Sequence, residues 1–285
     1  SETNAVSTVS DLTKDSVKDT SLAADTQPRV NVIKVGSGDA VTLEGKGTED
    51  EPYKILSYVD LKELASRVNK GELTACAELT TDIICTDTEW DPIGKDDSHI
   101  YSGIFDGKNH TITGLATPDN YSGDYAGLFG FVELRGTVKN VGLVDGHING
   151  TGCVGAVAGW NAGKVENCYN KGHVDGFSCV GGVVGYNDSG TVTRCYNKGD
   201  IAVNGTEVIA VGGVVGYNSA YNETAQVTNC YNTGAVNVIG NMYEVDVGAV
   251  VGYNEGKVEN CYNTGNVTVT EGANVCVGGV VGYNV

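Results

Sequence analysis

Nine cysteines and four histidines are the side chains of this 285-residue sequence best suited to metal binding or nucleophilic chemistry. Four of the cysteines recur at one place in a repeated Cys-Tyr-Asn segment, and Val141 takes that place in an earlier copy. A position that accepts valine behaves as a small buried apolar site, and the C-x-x-C spacing favoured by zinc sites does not occur. We therefore expect a ladder of reduced, buried thiols at Cys168, Cys195, Cys230 and Cys261.

The remaining cysteines leave disulfide pairing open. Cys153, Cys179 and Cys276 recur at a second place in the repeat, where other copies carry alanine or aspartate. Cys153 could pair with Cys179, and Cys76 with Cys85, although side chains in register on stacked strands point side by side rather than at one another. The odd total leaves at least one thiol unpaired.

Motifs of known catalytic centres do not occur in the sequence. It contains neither a His-Glu-x-x-His zinc motif nor a Gly-x-Ser-x-Gly nucleophile elbow. The acid-rich stretch from Asp87 to Asp97 lacks the alternating aspartates of a compact calcium loop. The repeat aspartates, which fall at different places in their copies, are Asp175, Asp188, Asp200 and Asp246, and the histidines, interpreted as surface-loop residues in unrelated contexts, are His99, His110, His147 and His173. We expect no catalytic residue, no metal site and no cofactor.

Segments similar to VGGVVGYNDSGTVTRCYNKG at 180–199 occur both earlier and later in the sequence. The opening Val-Gly recurs at positions 154, 180, 211, 247 and 277, so successive copies are spaced by 26, 31, 36 and 30 residues. A fixed core with variable loops is typical of a solenoid. We expect three short strands per coil, VGGVVGYN, KVENCYN and a variable segment, with Val180 and Val184 facing inward. Coils stacked about 4.8 Å apart would also bring equivalent asparagines into hydrogen-bonded ladders, as at Asn187, Asn218 and Asn254.

A degenerate copy at 125–144 contains Gly-Leu-Phe-Gly at 127–130. With it, the repeats at 125–285 resemble the GLUG motif, although the later copies replace its leucine by valine or alanine. That resemblance implies a large bacterial surface or secreted protein, and some proteins with this motif are immunoglobulin A proteases. The sequence pattern predicts an all-β fold: a parallel β-helix, right-handed by the general preference of parallel crossovers.

The chain ahead of the repeats divides into two parts. Residues 1–29 are polar without a sustained apolar period, which predicts a flexible tail. Residues 30–124 are expected to form an N-terminal cap and the first irregular coils, beginning with a strand pair at 30–43. A short amphipathic helix would cap the open end of the coils, with Ser57 at its start, Gly71 at its end, and Leu61, Leu64, Ala65 and Val68 on its apolar face. Further core candidates are Leu79, Ile83, Cys85, Ile104, Ile112 and Leu115.

Charge and hydropathy narrow the classes of partner. Eighteen basic against 36 acidic residues give a net charge of −18, which opposes phosphate contacts, so we expect no nucleic acid partner. No apolar run approaches the roughly 18 residues of a spanning helix. We expect a secreted or cell-surface segment with no membrane span of its own, and its oligomeric state stays open.

These observations predict a structural, adhesin-like display module without catalysis, which presents loops to a host glycan or protein. The alternatives are a carbohydrate-active β-helix enzyme and the recognition arm of a larger surface protease. Functional differences in a solenoid collect where coil lengths differ, so the predicted contact patch lies in the loops 219–225 and 239–244 of the 36-residue coil. Its residues are Tyr221, Met242, Tyr243 and Glu244. Two columns of tyrosines could serve either as a stacking device or as a platform for sugars or proteins.

Overall fold

The computed structural model describes residues 41–204, 209–220 and 225–285, with the side chains at 241–243 and 271–273 left out. Residues 41–285 form one compact unit. The predicted tail at 1–29 and most of the predicted strand pair at 30–43 lie outside the described residues.

One helix stands in the described chain, close to its start. α1 (Tyr58–Val68) begins after Ser57, whose hydroxyl accepts a hydrogen bond from the backbone N–H of Asp60, and ends before Asn69. Its apolar face, as the sequence predicted, is buried by the first coils, and the Tyr58 ring contacts Trp90. The helix has 11 residues, too few to cross a membrane.

Short strands surround and follow the helix. Five precede the first complete coil: β1 (Tyr53–Ile55), β2 (Ala77–Leu79), β3 (Ile83–Ile84), β4 (Ile104–Asp106) and β5 (Thr111–Thr113). The next coils contain β6 (Tyr125–Ala126), β7 (Phe129–Val132), β8 (Thr137–Lys139), β9 (Gly142–Asn149), β10 (Cys153–Gly155), β11 (Ala158–Asn161), β12 (Lys164–Glu166) and β13 (Tyr169–Gly176). The chain continues through β14 (Cys179–Gly181), β15 (Val184–Asp188), β16 (Thr191–Thr193), β17 (Tyr196–Asn197), β18 (Ile201–Asn204), β19 (Ala210–Gly212), β20 (Val215–Ser219), β21 (Gln226–Thr228) and β22 (Tyr231–Asn232). The last are β23 (Val236–Gly248), β24 (Val251–Asn254), β25 (Lys257–Glu259), β26 (Tyr262–Asn263), β27 (Val267–Gly278) and β28 (Val281–Asn284).

These strands stack into three parallel sheets, which form the faces of a β-solenoid. The first sheet runs β1-β2-β4-β8-β12-β16-β21-β25, and the third runs β7-β11-β15-β20-β24-β28, one strand from each of six coils. The second sheet contains the other 14 strands, including β9, β13, β18, β23 and β27. Equivalent repeat residues pair directly, for example Tyr186 with Tyr217 and Val192 with Val227. The predicted all-β parallel solenoid is confirmed.

The prediction that VGGVVGYN forms a single strand is wrong. Its first residues extend β14 in the second sheet, its last residues form β15 in the third, and the chain bends between them. A Cβ at Gly181 would lie 1.9 Å from the carbonyl oxygen of Val184, so only glycine allows the two strands to meet so closely. Gly181 and Gly182 therefore lie at the corner between the two strands, while Gly185 lies inside β15.

The predicted KVENCYN strand is also divided, by one residue in the left-handed backbone region. The residue before each cysteine of the ladder, or before Val141, has φ between 52° and 56°. Asparagine tolerates this conformation better than most residues. The column is Asn140, Asn167, Arg194, Asn229 and Asn260, and it turns the chain from the first sheet into the second.

The interior is built from columns of small apolar side chains. Val180 and Val184 are fully buried, and so is Val183 at the corner between them. Of the earlier core candidates, Leu79, Ile83, Ile112 and Leu115 are buried and Cys85 is partly buried. The expectation for Ile104 is wrong: it is only partly buried, because the strand alternation turns its neighbour Phe105 inward instead.

The cysteine column lies inside the solenoid as well. Cys168, Cys195 and Cys230 are fully buried, while Cys261, the last member of the column, is partly buried. Each thiol lies within 3.7 Å of a backbone carbonyl in the preceding coil, such as Cys230 Sγ and the Val192 oxygen. Burial raises the pKa of the Cys195 thiol well above its usual range.

Replacing Cys230 by aspartate should place an unpaired charge in this column and lower the free energy of unfolding by roughly 3 kcal/mol or more. Cys230→Val, which mimics Val141, should change it by less than about 1 kcal/mol. Urea titrations of both variants measure the difference. Equal stability of the two, or rapid labelling of Cys168, Cys195 and Cys230 in the native protein, would contradict the buried column.

Two ladders of asparagine run through the interior at the ends of strands. In one, each side-chain Nδ2 donates to the Oδ1 of the next coil at 2.7 Å; its members are Asn161, Asn187, Asn218, Asn254 and Asn284. In the other the distance is 2.9 Å, and its members are Asn170, Asn197, Asn232 and Asn263. Most of these amides also donate to a glycine carbonyl of the adjoining turn, as Asn197 does to Gly199. The first ladder begins at Asn161, whose Oδ1 has no donor among the described residues because Val132 occupies that place one coil earlier.

Asn218→Ala should remove the central link of the first ladder and leave buried polar atoms unpaired, which should cost about 2 kcal/mol of unfolding free energy. Asn284→Ala, at the exposed end of the same ladder, is the matched control and should cost about 0.5 kcal/mol or less. Denaturant unfolding monitored by circular dichroism compares them. An Asn218 variant no less stable than its control would show that the ladder contributes nothing.

Candidate functional site

Two ladders of stacked aromatic rings follow the coils on the outside. The first lies on the third sheet, and its neighbouring ring centroids are 4.1–5.3 Å apart; it consists of Trp160, Tyr186, Tyr217, Tyr253 and Tyr283. The second lies on the second sheet with spacings of 4.8–5.1 Å and consists of Tyr169, Tyr196, Tyr231 and Tyr262. The spacing matches the separation of stacked strands, so each ring covers part of the next and leaves its outer edge in solvent.

Two lysines lie over the second tyrosine ladder. The Lys171 ammonium is 5.0 Å from the centre of the Tyr169 ring, and that of Lys198 is 5.2 Å from the Tyr196 ring. Cation–π attraction of this kind holds a flexible lysine over the aromatic face. Both lysines thus mark a positive edge on a strongly acidic chain.

A groove of about 350 Å³ runs beside these lysines across the second sheet. Its floor is glycine: a Cβ at Gly199 would lie 1.7 Å from the carbonyl oxygen of Gly172, so no larger side chain fits there. Its walls carry Lys171, Lys198, His173, Asp145 and Asp200. The carboxylate of Asp200 accepts a hydrogen bond from the backbone N–H of Ala235. The groove therefore offers a polar ligand both positively charged donors and negatively charged acceptors.

A second groove, of about 270 Å³, lies between α1 and the acid-rich stretch at 87–97. Asp87 accepts hydrogen bonds from the Tyr58 hydroxyl and the Lys62 ammonium. Burial of Asp87 raises its pKa, but these hydrogen bonds outweigh that effect and hold the pKa below its usual value. In the same stretch Asp91 pairs with Lys95. The Asp87 carboxylate therefore joins the helix to the acid-rich stretch.

The interpretation of the histidines as unrelated surface residues is wrong for two of them. His147 and His173 are paired in register on β9 and β13, and both bond to Asp175: Nε2 of His147 lies 2.7 Å from Oδ2, and Nε2 of His173 lies 3.0 Å from Oδ1. The signal was present in the sequence, since 26 residues separate the histidines and 26 separate the first two Val-Gly copies. The other two histidines each face one aspartate, His99 with Asp96 and His110 with Asp82.

The predicted contact patch is described only in part. Tyr221 lies outside the described residues, as do the side chains of Met242 and Tyr243, while Glu244 is exposed. The expectation that 239–244 forms a protruding loop is wrong, because this segment belongs to β23. β27 is nearly as long as β23, and the two strands pair along their length with one register irregularity between Ile239 and Met242. The additional residues of the longer coil therefore lengthen a strand of the second sheet and do not form a loop.

All nine cysteines are free thiols in the structure. Cys153 and Cys179 are in register on β10 and β14. The hydrogen bond between their side chains raises the pKa of Cys153 and lowers that of Cys179. Cys153, Cys179 and Cys276 occupy the same position of the repeat, and their burial ranges from buried Cys179 to exposed Cys276. This range indicates a position at the boundary between interior and surface.

Three coils of this solenoid match a motif found in known proteins. The GLUG motif matches residues 178–202, 208–238 and 244–270, three successive coils. The chain is 32% identical over 144 residues to halomucin of Haloquadratum walsbyi, covering 46% of this chain, and 33% identical over 140 residues to a protein of Evansella cellulosilytica described as a Gly-rich membrane protein, covering 47%. The chain spans 2% and 16% of the lengths of these relatives.

A crystal structure from Bacteroides ovatus, described as an immunoglobulin A1 protease, matches the fold. Its TM-score is 0.58 at 20% identity, over 83% of this chain and 85% of that one. Identity this low bears on the fold alone. The molecule is a parallel β-solenoid of repeated coils. Three of those coils match the GLUG motif.

Four tyrosines of the ladders make the stability of the fold depend on alkaline pH. Burial raises the pKa of Tyr186, Tyr196, Tyr217 and Tyr231 above the usual value near 10.0. The unfolded chain therefore ionises first, and the ladders' contribution to stability is complete below pH 10 and declines as the pH rises toward the folded pKa. Denaturant unfolding between pH 8 and 11 should show falling stability, with a smaller fall for Tyr217→Phe. Tyrosinate absorbance that develops near pH 10 while the fold stays intact would contradict this.

Proposed function

We propose that this solenoid is a display module of a secreted or cell-surface protein, which carries a contact face for a glycan or protein partner and performs no catalysis. The observation behind the proposal is the division between a repeated interior and a variable exterior. Valine, cysteine and asparagine columns repeat inside, whereas the outer face of the second sheet, apart from its tyrosine ladder, changes from coil to coil. A scaffold that keeps its core and varies its surface suits recognition.

The outer face beside the second tyrosine ladder shows this variation. Lys171 and Lys198 occupy equivalent exposed positions of two coils, and threonine occupies this position in the next two coils, at Thr233 and Thr264. An aromatic column flanked by polar groups offers both ring stacking and hydrogen bonds, the two contacts that sugar rings and protein partners use. The lysine-lined groove, which also carries Asp145 and Asp200, lies on this face and is our candidate contact site.

The names of the relatives support a surface location. Halomucin and the Gly-rich membrane protein share nearly half of this chain at about a third identity. Each of the two grooves described above contains two carboxylates, fewer than the three or more that we require of a carbohydrate-active β-helix enzyme. This supports display over catalysis.

Binding to immobilised mucin glycoprotein and to fibronectin tests the proposal by biolayer interferometry. We expect one of these probes to bind the chain, and we expect Lys171→Gln/Lys198→Gln to weaken that binding at least tenfold. Lys164→Gln/Lys257→Gln removes the same charge from exposed places on the first sheet and is the matched control, which should bind normally. A third variant, shortened at 219–225, separates the groove from the predicted loop.

Loss of binding in the shortened variant alone would move the contact site to the loop and overturn the groove. Failure of both probes to bind would contradict the display function as stated. Incubation of the chain with mucin and with plant and bacterial polysaccharides should release no new reducing ends or unsaturated products. Release that scales with protein concentration would show that the module is an enzyme.

A further inference from the structure

Two histidines and an aspartate converge on the outer face of the second sheet, where neighbouring coils place them side by side. His147 and His173 occupy equivalent places on β9 and β13, and Asp175 lies two residues after His173 on the same face. One ligand atom from each of the three lies within 4.8 Å of the others. We propose that this triad binds a divalent transition metal ion, with zinc as the ion that fits best.

The donor set matches the chemistry of such ions. Two imidazole nitrogens and one carboxylate oxygen suit zinc, copper, nickel and cobalt, whereas magnesium and calcium favour oxygen ligands alone. Three protein ligands leave at least one coordination position open. The three side chains are 37–44% exposed, so water can occupy that position.

The geometry is close to what a metal ion needs. Both Nε2 atoms point at the same carboxylate, at 2.7 Å and 3.0 Å, and the imidazole rings are 5.2 Å apart. With zinc–ligand bonds of about 2.0–2.2 Å in a tetrahedral arrangement, ligand atoms lie about 3.3 Å apart. Small side-chain rotations from the present positions reach that spacing. On binding, each imidazole presents its Nε2 lone pair and carries its proton on Nδ1.

The surroundings leave room for the ion. Asp175 is paired in register with Ala202 on the following coil, and His147 bridges to Ala116 on the preceding one, so a small side chain lies beside each of these two ligands. Both ion pairs that the structure gives Asp175 are with these histidines. The charges beside the triad are of both signs, because His173 lines the groove that also carries Lys171, Lys198, Asp145 and Asp200. Since the ligands come from two coils, the bound ion would link them.

Zinc titration of the metal-free full chain, without a histidine tag, tests the proposal. Calorimetry should show one equivalent of zinc bound, and thermal unfolding should shift upward as zinc is added, because the ion binds the folded chain. His147→Asn, His173→Asn and Asp175→Asn should each weaken binding at least tenfold. His110→Asn, which removes a histidine paired with a single aspartate, is the matched control and should bind zinc normally.

Two further readouts identify the ligands in the unaltered chain. Zinc should shift the imidazole resonances of His147 and His173, and not those of His99 and His110, in long-range proton–nitrogen spectra. Cobalt should bind with visible absorption but without the near-ultraviolet band of a thiolate ligand. Absence of saturable binding, a thiolate band, or binding that survives the triad substitutions would overturn the proposal.

Discussion

The hydrogen bonds that join buried asparagines across coils are the interaction on which the rest of this structure depends. An asparagine amide inside an apolar column must find both a donor and an acceptor, since an unpaired buried amide costs roughly 1–3 kcal/mol. In-register stacking satisfies it, because each Nδ2 meets the Oδ1 of the next coil. A slip of one residue would break both ladders together. The asparagines therefore specify register, while valines fill much of the interior of the repeated coils.

Fixed register explains the chemistry of the outer surface. Residues at equivalent places are brought to the separation of neighbouring strands whatever the length of the loops between them. The tyrosine ladders arise in this way, as do the lysine pair above them and the meeting of His147 with His173. Residues 26 to 36 positions apart in the sequence are thus neighbours in space when they occupy equivalent positions of successive repeats. Substitutions at one such position can therefore assemble a site across coils.

The repeated core was predictable from the sequence, and the corners were less so. Period and composition predicted the parallel solenoid and α1, because valine, glycine and asparagine recur at constant phase. The strand divisions at Gly181 and Arg194 were missed, since they depend on close backbone approach and on a left-handed residue that pattern alone does not reveal. The segment 239–244 was predicted as a loop because only the lengths of earlier coils were compared, although β27 supplies a partner of similar length. His147 and His173 were judged by local context, whereas their separation of one coil was the informative feature.

Hydrogen exchange of asparagine side-chain amides tests the central claim most directly. Nitrogen-15 spectra resolve each NH₂ group, and exposed Asn109 and Asn266 provide internal references. The side-chain amides of Asn187, Asn197, Asn218 and Asn232 should exchange as slowly as the most protected backbone amides, because their release requires unstacking of the coils. Exchange of these four at the rate of Asn109 and Asn266 in the folded protein would contradict the ladders and the register they specify.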